Sequence, residues 1–338
     1  MIQDAIKDLS QKKDLKASLM QAVMEEIMTG QADTAQVVSF LTALSNKSET
    51  ADEITAAAIV MRRHATLIRT DRKPLLDTCG TGGDKKGIFN ISTAAAFVAS
   101  GADIAVAKHG NRSVSSHCGS ADILEALGVN INLGKHQIEK CLDEAGIAFL
   151  FAPNLHPAMK YAMPARKQIG ARTIFNILGP LTNPAGATHQ LVGVYERRLT
   201  ALLATVLGNL GSIHALVVHS QDGLDEIATT AKTIACEEYK GALNSYEIDP
   251  QDLGFIKASL QDLKAATLSD NLRIMLGVLN GESGPARDIV VLNAAAAIYV
   301  CDKTGSIKEA LALACESIDS GKALRKLELL KKVSTEKL

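Results

Sequence analysis

Leu75-Leu76-Asp77-Thr78-Cys79-Gly80-Thr81-Gly82-Gly83-Asp84 decides the fold, together with Asn90-Ile91-Ser92-Thr93 and the helical run to Ser100 that Gly101 stops. A short apolar segment runs into a glycine cluster, and a helix opens beyond it, so the unit reads strand–loop–helix. The alternation repeats downstream. Asp103-Ile104-Ala105-Val106-Ala107 reads as a buried strand, followed by a polar loop and a helix over Ala121–Leu127 closed by Gly128. Phe149-Leu150-Phe151, Leu191-Val192-Gly193-Val194 and His214-Ala215-Leu216-Val217-Val218-His219 are further strands separated by helical segments. This order predicts an α/β fold with a mostly parallel sheet flanked by helices on both faces. Ligands of such sheets sit beyond the carboxyl ends of the strands, where the polar, glycine-rich loops of this chain fall.

Upstream of Lys73-Pro74 only helical patterns appear. Leu15, Leu19, Met20, Val23 and Ile27 share one face, with Thr29-Gly30 as a stop; Asp33-Thr34 and Ser48-Glu49-Thr50 precede two further apolar runs. We therefore expect a small all-helical domain over residues 1–72 and an α/β domain over 73–338. The segment 163–183, a helical stretch ended by a Gly-Pro turn, is expected to return to the helical domain. The length of 338 residues suits two domains.

Composition narrows the function classes. Apolar residues make up 47% and charged residues 22%, which excludes a disordered chain. The 36 basic and 37 acidic side chains leave a formal net charge of −1, which argues against bulk binding of nucleic acid or anionic membranes. The longest apolar run, Ile289 to Cys301, is too short to span a bilayer, and the first residues carry acids with no apolar signal core. The six cysteines lie far apart without a CxxC pair and read as reduced thiols of a cytoplasmic protein. With 4% aromatics and no Trp, packing rests on small and aliphatic side chains.

Four segments carry chemistry. Gly80-Thr81-Gly82-Gly83-Asp84 with Asn90-Ile91-Ser92-Thr93 has the make-up of a phosphate cradle: glycines let backbone N–H groups approach an anion, and a helix start supplies more. It is neither a P-loop nor a dinucleotide fingerprint, and a plain strand-to-helix turn capped by Ser92 is the simpler alternative. Lys108-His109-Gly110-Asn111-Arg112-Ser113-Val114-Ser115-Ser116 with Gly119-Ser120, Ser120 placed as helix cap, reads as a second anion site, against a merely solvated loop. In Asp222-Gly223-Leu224-Asp225-Glu226, adjacent carboxylates at a strand end invite a cation such as Mg²⁺, which prefers few carboxylates plus water and phosphate oxygens; an acidic helix start is the alternative. Arg166 could clamp a carboxylate, although an arginine on a helix is commonly just solvated, and His156 before Pro157 commonly a turn residue.

Together these segments resemble the anthranilate phosphoribosyltransferases. The likeness runs from Met24-Glu25-Glu26-Ile27-Met28-Thr29-Gly30 through the loops above and Arg172-Thr173-Ile174-Phe175-Asn176-Ile177-Leu178-Gly179-Pro180-Leu181-Thr182-Asn183-Pro184 to Asn293-Ala294-Ala295-Ala296-Ala297. The resemblance implies transfer of phosphoribosyl from 5-phosphoribosyl 1-diphosphate to the amine of anthranilate, in tryptophan biosynthesis. It also implies a homodimer through the helical domain, with the active site at the hinge. Gly80, Gly83, Asp84, Ile88, Asn90, Ile91, Ser92 and Thr93 would hold the diphosphate end. Lys108 to Ser116 with Ser120 would hold the ribose and its phosphate, Lys108 assisting departure of the leaving group. Ser92, Asp225 and Glu226 would bind Mg²⁺, as two ions. Asn111 and Arg166 would contact anthranilate, with Gly80 nearby and His109, His156 and Pro180 lining its approach. No general base is assigned, because the aniline nitrogen is already neutral and needs only placement.

Two positions depart from the family's pattern. Ile88 stands where a Thr or Ser hydroxyl is common, and His117-Cys118 replaces a basic residue–Ser pair. Two other readings compete. Pyrimidine nucleoside phosphorylases share the fold but lack the paired acids, and a nucleic-acid-binding relative would need a basic groove that the charge balance disfavours.

Overall fold

The computed structural model describes residues 1–112 and 118–336. Four helices come first: α1 (Ile2–Ser10), α2 (Ala17–Met28), α3 (Thr34–Lys47) and α4 (Ala51–Arg63). Their starts are built as the sequence suggests. Asp33 accepts from Gln36 N at 2.8 Å, and Thr50 and Glu53 close a reciprocal box at the start of α4. Glu53 is fully buried, yet its carboxylate accepts from Leu15 N (2.8 Å), Thr50 N (2.9 Å) and the Lys47 ammonium (2.8 Å). A buried charge with this many donors is tolerated.

The remainder is a sheet wrapped in helices: β1 (Leu75–Gly80), α5 (Ile91–Gly101), β2 (Ala105–Gly110), α6 (Ser120–Ala126), α7 (Lys135–Glu144), β3 (Ile147–Phe151), α8 (Ala152–Leu155), α9 (Met159–Ile169), α10 (Phe175–Leu178), β4 (His189–Gly193), α11 (Leu199–Asn209), β5 (His214–Ser220), β6 (Thr233–Tyr239), β7 (Ala242–Ile248), α12 (Leu268–Leu279), α13 (Pro285–Tyr299), α14 (Ile307–Asp319) and α15 (Lys322–Thr335). The strand order is β3-β2-β1-β4-β5-β6-β7. The first five strands are parallel, and β6 and β7 add an antiparallel margin that the alternation of strands and helices did not announce. The order reverses between β1 and β4, the place where such sheets open a crevice for ligands.

Two cores lie on opposite faces of the sheet. Leu191, Leu216, Val218 and Ala235 face α5, α13 and their neighbours, while Val192, Ala215, Val217 and Cys236 face the core shared by α1–α4, α9, α10 and α11. Successive residues of one strand serve different cores, so these strands read as unbroken apolar runs. The segment from α9 to Leu181 joins the second core through Ala162, Ala165, Phe175, Ile177 and Leu178. The apolar run around Ile289–Ile298 is the buried helix α13, and among the described residues no helix is long and apolar enough to cross a membrane.

Two boundaries differ from expectation. Strand β2 runs on to Gly110, because Lys108, His109 and Gly110 pair with Phe149, Leu150 and Phe151 of β3; Lys108 and His109 therefore belong to the buried sheet and not to a polar loop. Ser120 is the first residue of α6, not its cap. Gly119 takes the cap position and donates its N–H to Asp122 Oδ2 at 2.8 Å.

Candidate active site

The loops after β1, β4 and β5 meet at the carboxyl edge of the sheet. Thr81 N donates to Gly193 O at 2.8 Å, tying the β1 loop to the end of β4. A Cβ on Gly193 would stand 1.6 Å from the carbonyl oxygen of Asp225, so only glycine lets the acidic loop cross here. Gly82 and Gly83 both take positive φ, which turns the loop back over the strand end. From the other side Asn293, in the middle of α13, clamps the next residue of the acidic loop. Its Oδ1 accepts from Ile227 N (3.0 Å) and its Nδ2 donates to Ile227 O (2.8 Å).

This construction gathers three carboxylates. Asp84, assigned from sequence to the diphosphate end, stands close enough to Asp225 for their charges to oppose one another. Glu226 Oε1 accepts from Ser92 N (3.2 Å), the N–H at the start of α5. Burial raises the pKa of Asp225, as does the charge of Asp84; burial likewise raises Glu226, with the charge of Asp225 adding to it. Asp84 is also raised, by burial first, and its buried Oδ2 has no donor among the described residues. Repelling acids with a lone pair to spare are what a hard divalent cation relieves. Among the described residues no three His, Cys, Asp or Glu side chains close into a metal cage. A few carboxylates beside the unpartnered Asp84 Oδ2 suit an ion that keeps water and substrate oxygens in its shell, as Mg²⁺ does.

Lys108 is a cation facing Glu226. Its ammonium bonds to Thr78 O and to Ser92 Oγ (3.3 Å), and burial lowers its pKa against the raising effect of Asp77 and Glu226. Ser92 thus joins Lys108 through its hydroxyl and Glu226 through its N–H.

A second group forms beside it. His109 Nδ1 lies 3.1 Å from Gly179 O, and His109 Nε2 lies 3.2 Å from His156 Nε2. The carbonyl can only accept, so His109 carries its proton on Nδ1 and accepts at Nε2 from His156 Nε2–H. Burial lowers His109 to about 3 and His156 to about 4, so both rings are neutral. His156 is therefore a buried partner of His109 as well as the first residue of a turn, its carbonyl accepting from Met159 N at 3.0 Å, and Pro180 directly follows the carbonyl that anchors the pair.

The other sequence candidates divide. Asn111 O accepts from Ser120 Oγ (3.3 Å) and Ala121 N (3.3 Å), which ties Asn111 to the start of α6. Asp122 (2.8 Å) and Glu125 (2.9 Å) on α6 hold the Arg112 guanidinium. Arg166 lies over the Phe175 ring, 5.6 Å from its centroid, and its pKa is lowered by burial. Ile91 is buried in the sheet core, so only its backbone can meet a ligand; Ile88 packs on the same core and bridges Lys264. Thr93 is fully buried. Ser113, Val114, Ser115, Ser116 and His117 lie outside the described residues.

Sequence reasoning passed over Asn293, Gly193, Asp77, Asn183 and Arg172. Arg172 donates to Gly83 O (2.6 Å) while stacking on Tyr195 at 3.5 Å. A polar residue inside an apolar run was the available signal for Asn293 in α13 and Asp77 in β1. For Gly193 and Arg172 no local signal exists.

Known proteins bear on this geometry. Residues 72–324 match the model of the glycosyl transferase family a/b domain, and residues 3–65 that of its helical bundle domain. An anthranilate phosphoribosyltransferase from Symbiobacterium thermophilum is 51% identical over 326 residues, 96% of each chain. One from Moorella thermoacetica is 54% identical over 308 residues, 91% of each. Among solved structures, that of the Thermus thermophilus anthranilate phosphoribosyltransferase superposes with a TM-score of 0.93 at 41% identity, covering 98% of this chain and 100% of the other. The Saccharomyces cerevisiae enzyme in complex with PRPP and Mg gives 0.90 at 28% identity, covering 99% and 98%.

Proposed function

This chain belongs to the anthranilate phosphoribosyltransferase family, and from that premise we propose that it transfers the phosphoribosyl group of 5-phosphoribosyl 1-diphosphate to the amine of anthranilate, a step of tryptophan biosynthesis. The C1′–oxygen bond to diphosphate breaks, a C1′–nitrogen bond forms, and the amine gives up one proton. The observation that carries this reading is the gathering of Asp84, Asp225 and Glu226 opposite Lys108 at the reversal of strand order.

Asp225, Glu226 and Ser92, joined by Asp84, would hold Mg²⁺. A bound divalent ion would neutralise charge on the diphosphate. The residues do the rest. Lys108 brings a fixed ammonium, held by Thr78 and Ser92, to the side where negative charge grows as the bond breaks. The turn at Gly82 and Gly83, both at positive φ, would bring backbone N–H groups from the end of the Gly80–Asp84 loop toward the same group. Arg166 and Asn111 take the carboxylate and amine of anthranilate, and the neutral His109–His156 pair with Pro180 lines its approach without competing for the carboxylate as a cation would. Supply of the amine in line with C1′ is positioning catalysis.

We read residues 1–72, with 163–183 returning to them, as the smaller domain and 73–338 as the larger. We assign a homodimer to the helical side and a cytoplasmic setting. Mixing the protein with anthranilate, 5-phosphoribosyl 1-diphosphate and Mg²⁺ tests the reaction. Anthranilate fluorescence falls if it is right, and an unchanged signal at every Mg²⁺ concentration defeats it. Sedimentation as a single-chain species would refute the dimer.

A further inference from the structure

The hydrogen-bond ladder between β1 and β2 is short. It holds Leu75 opposite Ala105 and Leu76 opposite Val106 and then stops, whereas β1–β4 and β2–β3 stay paired to their glycine ends. Past Leu76 the two strands part, and two peptide groups of β2 that face β1 lose their backbone partners. They are the groups on either side of Lys108: the carbonyl of Ala107 and the N–H of His109. Side chains replace the missing bonds. Asn183 Nδ2 donates to Ala107 O at 2.8 Å, Asp77 Oδ1 accepts from His109 N at 3.1 Å, and Asn183 Nδ2 also donates to Asp77 Oδ2 at 2.8 Å, closing the bracket. Asp77 is fully buried and Asn183 nearly so. Asn183 is itself fixed, since its Oδ1 accepts from Ala185 N at 2.9 Å. A carboxylate placed out of water costs stability unless it has such donors, and an apolar residue at 77 would leave the His109 N–H unpaired, as one at 183 would the Ala107 carbonyl.

We propose that Asp77 and Asn183 are positioning residues that act through Lys108: they grip the peptide groups on either side of it and so fix where its ammonium stands against the leaving diphosphate. The proposal rests on the reaction assigned above. The parting of the strands makes room for the Lys108 side chain to turn from the sheet toward Thr78 and Ser92, and the bracket prevents the freed strand end from drifting. Because charge on the leaving group grows toward the transition state, a displaced ammonium costs turnover more than substrate affinity.

The test is a double-mutant cycle. Asn183→Ala and Asp77→Asn are each made alone and with Lys108→Met, and kcat and both KM values are measured beside thermal unfolding. In the parent background each variant is expected to lower kcat by about tenfold to a hundredfold, the range a misplacement of about 1 Å produces, with smaller changes in KM. In the Lys108→Met background the same changes have little further effect. A purely structural brace would instead give losses that multiply in both backgrounds, and that result overturns the proposal, as does an unchanged kcat. Asp77→Asn is nearly isosteric and serves where Asn183→Ala does not fold; collapse of both variants also overturns it, because the pair would then hold the fold and not Lys108. A parent enzyme that consumes no anthranilate refutes the assigned reaction and with it the purpose given to the bracket, whereas an active parent with multiplicative variants refutes the bracket alone.

Discussion

Replacing His156 by glutamine makes the protein less sensitive to acid. In the folded chain His109 Nδ1–H is spent on Gly179 O and its Nε2 accepts from His156, so His109 cannot take a proton without breaking a buried bond, and His156 could take one only on Nδ1, out of water. Burial holds His156 at about 4 against 6.5 for an ordinary histidine. A base lowered in the folded state contributes stability that is intact above the unfolded value and is lost as pH falls toward the folded one, because the unfolded chain takes up the proton first. At about pH 5 the unfolded imidazole is almost fully protonated and the folded one is not; the gap is about 1.5 pH units, or about 2 kcal/mol. Glutamine at 156 keeps an N–H for His109 and removes this titration. Urea unfolding of parent and variant at about pH 7.5 and about pH 5 measures the difference of differences, in which the buried carboxyls common to both proteins cancel. The parent is expected to lose about 2 kcal/mol more than His156→Gln over that interval. Equal losses would refute the neutral pair.

Three further outcomes follow from the site. Asp225→Asn combined with Glu226→Gln lowers turnover on the order of a hundredfold or more, yet raises the melting temperature of the metal-free protein, since the parent's acids are buried against one another; calorimetry with a turnover assay checks both. Gly193→Ala forces a Cβ into the Asp225 carbonyl and is expected to cost about 3 kcal/mol in urea unfolding. Arg166→Ala raises the KM for anthranilate and leaves the KM for 5-phosphoribosyl 1-diphosphate nearly unchanged, measured by initial rates.

The parallel strands are legible in sequence because each is buried on both faces, so apolar runs such as Leu191–Val194 stand out against the helices between them. The antiparallel margin is not. In β6 Glu237 and Glu238 break the apolar pattern, and the burial of Glu237 depends on distant partners, His214 (2.6 Å) and Tyr299 (2.7 Å). The same limit applies at the site. Motif chemistry points to Asp225, Glu226, Ser92 and Lys108, and the fold brings them together. That Lys108 lies in a strand, however, is decided by pairing with β3, about forty residues away. The pairing of Arg112 with Asp122 and Glu125 likewise emerges only once α6 is in place. Asp84 joins the acids only because the loop from Gly80 doubles back.

The most direct check of the central claim places Mn²⁺ as a paramagnetic stand-in for Mg²⁺ in the protein with 5-phosphoribosyl 1-diphosphate and records the phosphorus NMR lines. Strong broadening of the two diphosphate resonances is expected, with weaker broadening of the 5-phosphate and loss of both effects in the Asp225→Asn, Glu226→Gln variant. Broadening that centres on the 5-phosphate, or that persists in the variant, would contradict it.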